Sequence, residues 1–340
     1  MADPLRIGII GAGGNTRSMH IPGFQAIDGV EVVTIANRTP ESAQRVADEF
    51  NVPRISKHWQ DVIEDDEVDA VCIGTWPYLH AEATIAALSA GKHVLTEARM
   101  AMNHDEAKQM LDAAQAKPEL VAQIVPAPFT LEYDATAQRL INELGELRLV
   151  RLVHIGGAAA DPTASLTWRQ RTDLSGHNIM TMGILFETAQ RWLGRGVDVD
   201  WVKADAATVI SERPTASGEG RAPVTIPDTL NFLGRYNNGA QLIGHFTCVA
   251  SGSPMWYVDV QCERGSVHFD ISESKLYVAH TGRSPEVVTP DAGTAIGWRV
   301  EQDFVDSIRD GKPVTLTSFA DGVRYMDFTD KVWASILLDR

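Results

Sequence analysis

The chain has 340 residues, of which 44% are hydrophobic and 22% charged, and its formal net charge is -15. That length exceeds one ordinary core and suits two domains. The acidity argues against a nucleic-acid partner, which calls for a basic face, and no apolar run is long enough to span a membrane.

The first element in chain order is a buried strand through Leu5, Ile7, Ile9 and Ile10. A glycine turn follows at Gly11, Gly13 and Gly14, and a helix starts from Asn15. Strand, tight turn and helix N-terminus make a dinucleotide-binding unit, in which the backbone must approach a pyrophosphate closely. The third position of the G-x-G-x-x-G pattern is Thr16. A second strand, Val30 to Ala36, ends at Asn37 and Arg38. NAD-binding units usually place an acidic residue there for the ribose hydroxyls. A neutral Asn37 followed by a cationic Arg38 suits a 2′-phosphate, so NADP is expected in preference to NAD. Pro40 to Phe50 reads as a helix with proline in its first turn.

Val68 to Gly74 is a third strand, followed by Thr75, Trp76, Pro77, Tyr78, Leu79 and His80. Ligands bind at such carboxyl ends, and the Trp76 ring is suited to lie against adenine or nicotinamide. A helix over Ala81 to Ala90 stops at Gly91. His93 to Thr96 and Val121 to Val125 are further strands, with Glu97, Ala98 and Arg99 after the former and a helix opening at Asn103 or His104 between them. Strands alternating with helices call for a parallel, doubly wound α/β sheet, a Rossmann domain over residues 1–126.

From residue 127 the pattern changes. A helix over Tyr133 to Leu144 precedes strands at Leu147–Ile155, Trp201–Ile210, Asp228–Tyr236, Ala240–Val249, Met255–Cys262 and Ser266–Ile271. Asn237-Asn238-Gly239 signals a hairpin, and Glu263-Arg264-Gly265 another. Residues 127–340 are therefore expected to form an α+β substrate and oligomerisation domain with a large, open, mostly antiparallel sheet. Arg213 to Pro223 reads as a mobile polar loop, and helices are expected at Trp298–Arg309 and Phe319–Leu338. Cys72, Cys248 and Cys262 have no paired spacing and are expected as thiols, and the absence of a leader pattern suggests the cytoplasm.

Together the GIIGAGG turn, Thr75, Pro77 and His80, the Ala90-to-Glu97 run and the later Arg191-Trp192-Leu193-Gly194 and Glu301-to-Ile308 segments resemble the glucose–fructose oxidoreductase and inositol dehydrogenase (Gfo/Idh/MocA) family. The resemblance implies a Rossmann domain joined to an open-sheet domain, and NAD(P)-dependent oxidation or reduction of a sugar, sugar derivative or cyclitol. It also implies a catalytic lysine after Glu97, where this chain has Ala98. Asp, Gly and the acid–base His of the family's helix fall at Thr181, Gly183 and Leu185, and a later Asp at Thr188. Only the glycine is kept.

The replacement candidates are His177 and Asn178, in the turn that faces the nicotinamide in relatives, and Arg99, which can bind substrate but does not shuttle protons. Glu187, two residues past the lost histidine, should point elsewhere. The cofactor-binding set is Gly11, Gly13, Gly14, Asn15, Thr16, Asn37, Arg38, Thr75, Trp76, His80 and Glu97. No metal site is expected, since His154, His245 and His268 lack ligand spacing and read as sheet-face residues. An open apolar sheet face points to a homodimer or homotetramer. Two other outcomes keep the same fold: a cofactor-binding regulator without turnover, and an NAD-recycling glycoside lyase or hydrolase.

Overall fold

The computed structural model describes residues 3–338. It divides into two compact units, Met1–Pro126 with Arg299–Val323, and Ala127–Trp298 with Arg324–Arg340. The segment Arg299–Val323 belongs to the first unit.

The first unit contains β1 (Leu5–Ile10), α1 (Ile21–Gln25), β2 (Val30–Ala36), α2 (Pro40–Phe50), β3 (Arg54–Ile55), α3 (Trp59–Glu64), β4 (Ala70–Ile73), α4 (His80–Ser89), β5 (His93–Thr96), α5 (His104–Gln115) and β6 (Ala122–Ile124). The six strands pair in parallel in the order β3-β2-β1-β4-β5-β6. The order reverses at β1, so the crevice at the carboxyl ends of β1 and β4 is the switch point where such sheets take ligands. Ile10, Val33, Val71 and Ile73 join Val62, Leu79 and Ala83 in one core layer. Ile7, Ile9 and Cys72, which point the other way, are wholly buried too. Both faces are covered, as a parallel sheet requires. The local signals match their elements: Thr39 caps α2 by accepting from the Ser42 N–H, and the Asn103 side chain accepts from the Glu106 N–H at the start of α5.

The second unit contains α6 (Asp134–Glu143), β7 (Leu147–Ile155), α7 (Thr172–Ser175), α8 (Met182–Leu193), β8 (Val199–Ala207), β9 (Glu212–Pro214), β10 (Arg221–Pro223), β11 (Thr229–Tyr236), β12 (Gln241–Thr247), β13 (Met255–Cys262), β14 (Gly265–Asp270), β15 (Lys275–His280) and β16 (Glu286–Val288). The returning helix α9 (Val300–Asp310) belongs to the first unit, and the boundary between units falls inside α10 (Phe319–Leu338). The large sheet runs β16-β15-β14-β13-β7-β12-β11-β8 and is antiparallel except where β12 lies parallel to β7. Val150, Leu152, Phe232, Phe246, Val258 and Phe269 line its inner face. Aromatic pairs tie that face to the helices, Phe269 to Trp192 of α8 and Phe232 to Phe328 of α10. On the opposite face of this chain Trp201 and Leu233 are exposed.

The stretch expected as a mobile loop is ordered. Arg213 and its neighbours pair with β10 as a short hairpin, and the Arg213 guanidinium is buried, donating to the carbonyls of Ala159 and Asp161. An arginine in a polar stretch gives no sequence signal that its partners are distant backbone oxygens. Trp59–Glu64 and the strands β15 and β16 carry too short an apolar pattern to be read beforehand.

Candidate functional site

The nucleotide turn keeps its geometry despite Thr16. Gly11 has φ +85°, and a Cβ there would crowd the Thr75 backbone nitrogen at 2.9 Å. The third glycine of the pattern normally lets helix and strand approach closely. Here the glycine is on the other partner. A Cβ on Gly74, after β4, would collide with Thr16 Oγ1 and the Gly11 carbonyl. Thr16 is itself buried and donates to that carbonyl at 3.1 Å. Gly14 has open space around its missing Cβ, and Gly13 has only Gly74 O at 3.6 Å. That leaves a cradle for a phosphate against first-turn N–H groups, so the residues present fit a dinucleotide.

At the end of β2, Asn37 Oδ1 accepts from the Ala12 N–H at 2.7 Å. Asn37 thus braces the turn with its acceptor atom. Arg38 is exposed, with its guanidinium 4.9 Å from the centre of the Trp76 ring. No carboxylate pairs with Arg38 among the described residues. Trp76 also meets Tyr78 edge-on.

One expected cofactor residue, His80, contacts the backbone. His80 is wholly buried, with Nδ1 and Nε2 each 3.1 Å from a carbonyl oxygen, of Arg99 and Thr75 respectively. It links the loop after β4 to the loop after β5, and so positions Thr75 without itself reaching the crevice; burial pushes its pKa down. Arg99 has a left-handed φ of 63°, an uncommon conformation for a non-glycine residue, and its carbonyl is the one His80 meets.

Glu97, at the end of β5, lies in a charged cluster that the sequence did not announce. The Asn15 amide donates to Glu97 Oε1 at 2.6 Å, and His20 Nε2 lies 3.2 Å from the same oxygen. His20 Nδ1 lies 2.5 Å from Glu301 Oε1, on α9. With a carboxylate at each nitrogen, the imidazole is cationic. Burial opposes that charge, but the hydrogen bonds to Glu301 and Glu97 raise the His20 pKa to about 9. Burial likewise opposes ionisation of Glu97, but His20, Asn15 and the Ala98 N–H hold it ionised, well below the ordinary carboxylate range. Asn15 and His20 reach one oxygen because Thr16–His20 is a π-helical turn, which brings residues five apart onto one side. A reading with 3.6 residues per turn puts them on different faces.

In the second unit, His177 Nδ1 lies 2.7 Å from Asp330 Oδ1, and its ring stacks on Trp333 at 4.9 Å, both partners being on α10. Asn178 is buried and donates to the Ser175 carbonyl at 2.7 Å. That bond lies at the C-terminal end of α7. Glu187 is buried, accepting from the Ala127 N–H and pairing with Arg191, which fits its expected structural role. Leu185 is wholly buried. Thr181, just before α8, has its Oγ1 2.7 Å from Nδ1 of His154, a residue read from sequence as a sheet-face histidine. The described residues hold no cluster of His, Cys, Asp or Glu able to bind a metal, and no helix is long and apolar enough to cross a membrane.

A 3-2-1-4-5-6 parallel sheet with a phosphate cradle at its switch point defines a dinucleotide-binding Rossmann unit. Residues 5–124 match the Gfo/Idh/MocA oxidoreductase family with NAD-binding Rossmann fold, and residues 135–268 match a Gfo/Idh/MocA C-terminal domain. The levoglucosan dehydrogenase of Pseudarthrobacter phenanthrenivorans is 30% identical, covering 96% of this chain and 95% of its own length. A dTDP-3,4-didehydro-2,6-dideoxy-alpha-D-glucose 3-reductase from Saccharopolyspora spinosa is 28% identical over 56% of each chain. Among solved structures, levoglucosan dehydrogenase in complex with NADH and L-sorbose superposes with a TM-score of 0.86 at 26% identity, covering 98% of this chain and 97% of that one. An inositol dehydrogenase homolog complexed with NAD+ from Azotobacter vinelandii shares the fold, with a TM-score of 0.84 at 18% identity over 99% of this chain and 96% of that one. The chain belongs to the Gfo/Idh/MocA family and is an oxidoreductase with an NAD-binding domain.

Proposed function

We propose that the protein oxidises or reduces a hydroxyl of a sugar, sugar derivative or cyclitol, with NADP preferred over NAD. The observation that carries the reading is the rebuilt nucleotide turn, where Thr16 and Gly74 exchange roles and leave Gly13 and Gly14 open. When bound, the nicotinamide supplies the acceptor or donor for a hydride. Gly11, Gly13, Gly14 and Asn15 hold the pyrophosphate, and Thr75 and Trp76 line the wall. Glu97, kept ionised by His20 and Asn15, lines the cofactor side of the crevice. Arg38 supports the NADP preference: it is a cation with no carboxylate partner among the described residues, beside an uncharged Asn37 that braces the turn. Arg99 is assigned to substrate binding, and His177, oriented by Asp330, is the proton-transfer candidate that the sequence supplies. Its half-exposed dyad has the geometry of an oriented base. The open face of the large sheet supports a homodimer or homotetramer, which light scattering tests, in the cytoplasm.

The deciding experiment is fluorescence titration with NADPH and NADH, followed by a panel of sugars, anhydrosugars and cyclitols with the preferred cofactor. Tight NADPH with weak NADH, and turnover of at least one polyol, is the expected result. NADH preference overturns the Arg38 assignment. Cofactor binding without turnover on any member, or turnover without net reduction, overturns the dehydrogenase reading, the latter in favour of a cofactor-recycling lyase.

A further inference from the structure

The carboxylate at the end of β5 poses an electrostatic problem. Glu97 accepts from the amide of Asn15, the residue that follows Gly13 and Gly14, so a negative charge stands beside the cradle for the dinucleotide phosphates. Uncompensated, that charge repels an anion. The first unit supplies a buried cation behind it. His20 has no exposed surface, and its ring nitrogens lie 3.2 Å from Glu97 and 2.5 Å from Glu301. Glu301 arrives on α9, which docks on α1 through Phe304 and Phe24, edge-on at 6.3 Å, and through Arg309, which donates to the carbonyls of Asp28 and Gly29. Gly23 lies inside α1, where glycine is an unfavourable residue. A Cβ there would come within 2.8 Å of Glu301 Cγ, Cδ and Oε2. The missing side chain is the space through which Glu301 reaches the imidazole.

We propose that His20, anchored by Glu301, is a positioning residue for the dinucleotide, its imidazolium holding Glu97 against Asn15 and compensating that carboxylate's charge at the phosphate cradle. The role rests on the cofactor reading above and makes cofactor binding depend on a proton. Two carboxylates and one imidazolium leave one net negative charge in the cluster; a neutral ring leaves two. An anionic dinucleotide therefore favours the protonated ring, and by linkage its binding strengthens the hold of His20 on its proton. Burial opposes the charge, but the hydrogen bonds to Glu301 and Glu97 raise the His20 pKa to about 9, which puts the effect in alkaline solution. The proton taken up comes from solvent and goes to the ring. Two other titratable groups surround the cluster. The Cys72 thiol on β4 is kept protonated by burial and by the same two carboxylates, and burial pushes the His80 ring on α4 down. Neither exchanges a proton in that window. Asn15, Phe24 and Phe304 are uncharged.

The test follows NADPH and NADH binding to full-length wild type, His20→Gln, Glu301→Gln and Gly23→Ala. Fluorescence gives the dissociation constant from about pH 7 to about pH 10.5, and calorimetry in buffers of different ionisation enthalpy counts the protons exchanged. Wild type should bind about tenfold more weakly at the alkaline end, the equivalent of one pKa unit, and take up about half a proton per dinucleotide near the midpoint. His20→Gln should lose the uptake and the pH dependence together. Glu301→Gln removes the second carboxylate and Gly23→Ala displaces it, so both should move the uptake towards neutral pH. A merely structural cluster lowers the stability of these variants but leaves no proton in the binding equilibrium. Nitrogen-15 NMR of the unliganded wild type should show both ring nitrogens of His20 protonated at about pH 8. The assignment is overturned if wild type binds without proton uptake near pH 9, if His20→Gln keeps the uptake, or if the His20 ring is neutral at about pH 8. The wild-type measurements decide even where a variant misfolds. Failure of wild type to bind either dinucleotide overturns the cofactor reading and the role of His20 with it, whereas binding without uptake overturns the role of His20 alone.

Discussion

The glycine turn after β1 and the start of α8 both depart from the family pattern, and the two departures are met differently. At the turn the missing residue is a packing residue. Thr16 fits because Gly74, across the contact, has no side chain, and the hydroxyl gains the Gly11 carbonyl as acceptor. At α8 the missing residues are chemical ones. Packing can accommodate Leu185 and Thr188, both wholly buried, but cannot return a titratable group. A lost shape is restored by the facing residue; a lost proton carrier is not restored by packing.

Each half of that comparison can be broken. The largest effect belongs to the turn: Gly74→Ala should cost about 3 kcal/mol in thermal unfolding and abolish cofactor binding, because the new methyl meets Thr16. Adding Thr16→Gly should recover part of this, since the Gly11 carbonyl still crowds the site. No recovery would show that the two positions are not exchanged partners.

His20→Gln should destabilise the first unit by roughly 3 kcal/mol, because it leaves a buried carboxylate, Glu301, and a half-buried one, Glu97, without a cation between them. The pH dependence has a definite sign. The folded pKa of His20 lies above its unfolded value of 6.5, so its contribution is complete below pH 6.5 and is lost as pH rises through about 9. Chemical denaturation across that window should show wild-type stability declining and the variant's curve flatter by that amount. Parallel curves would remove the cationic assignment.

Arg38→Ala should weaken NADPH about tenfold, or ~1.4 kcal/mol, and leave NADH unchanged. Equal loss for both cofactors would mean that Arg38 serves the Trp76 wall and not a phosphate. The smallest effect is expected for Asp330→Asn. The His177–Asp330 pair is about a third exposed on each side, and such pairs contribute about 0–1 kcal/mol. A loss of turnover of more than about tenfold in this variant would show that Asp330 acts on catalysis through His177 and not on stability alone.

Much of this molecule is legible in the chain itself. The strands Val30–Ala36, Leu147–Ile155 and Met255–Cys262 and the helix Phe319–Leu338 have the expected bounds, because a buried face imposes a period of 2 or 3.6 on neighbouring residues. The nucleotide crevice was equally visible, since its strand, glycines and helix start lie within a dozen residues. What the sequence did not reveal was set by residues far apart in the chain. Glu301 reaches His20 across 281 positions, Asp330 reaches His177 across 153, and Thr181 reaches His154 across 27. His80 and Asn178 carry polar groups that suit a ligand as well as a backbone carbonyl, and both are buried with a carbonyl partner. Local pattern therefore determined the two folds and the cofactor end. Tertiary structure decided which polar side chains face a ligand, because hydrogen-bond partners depend on proximity in space, which period and propensity do not encode.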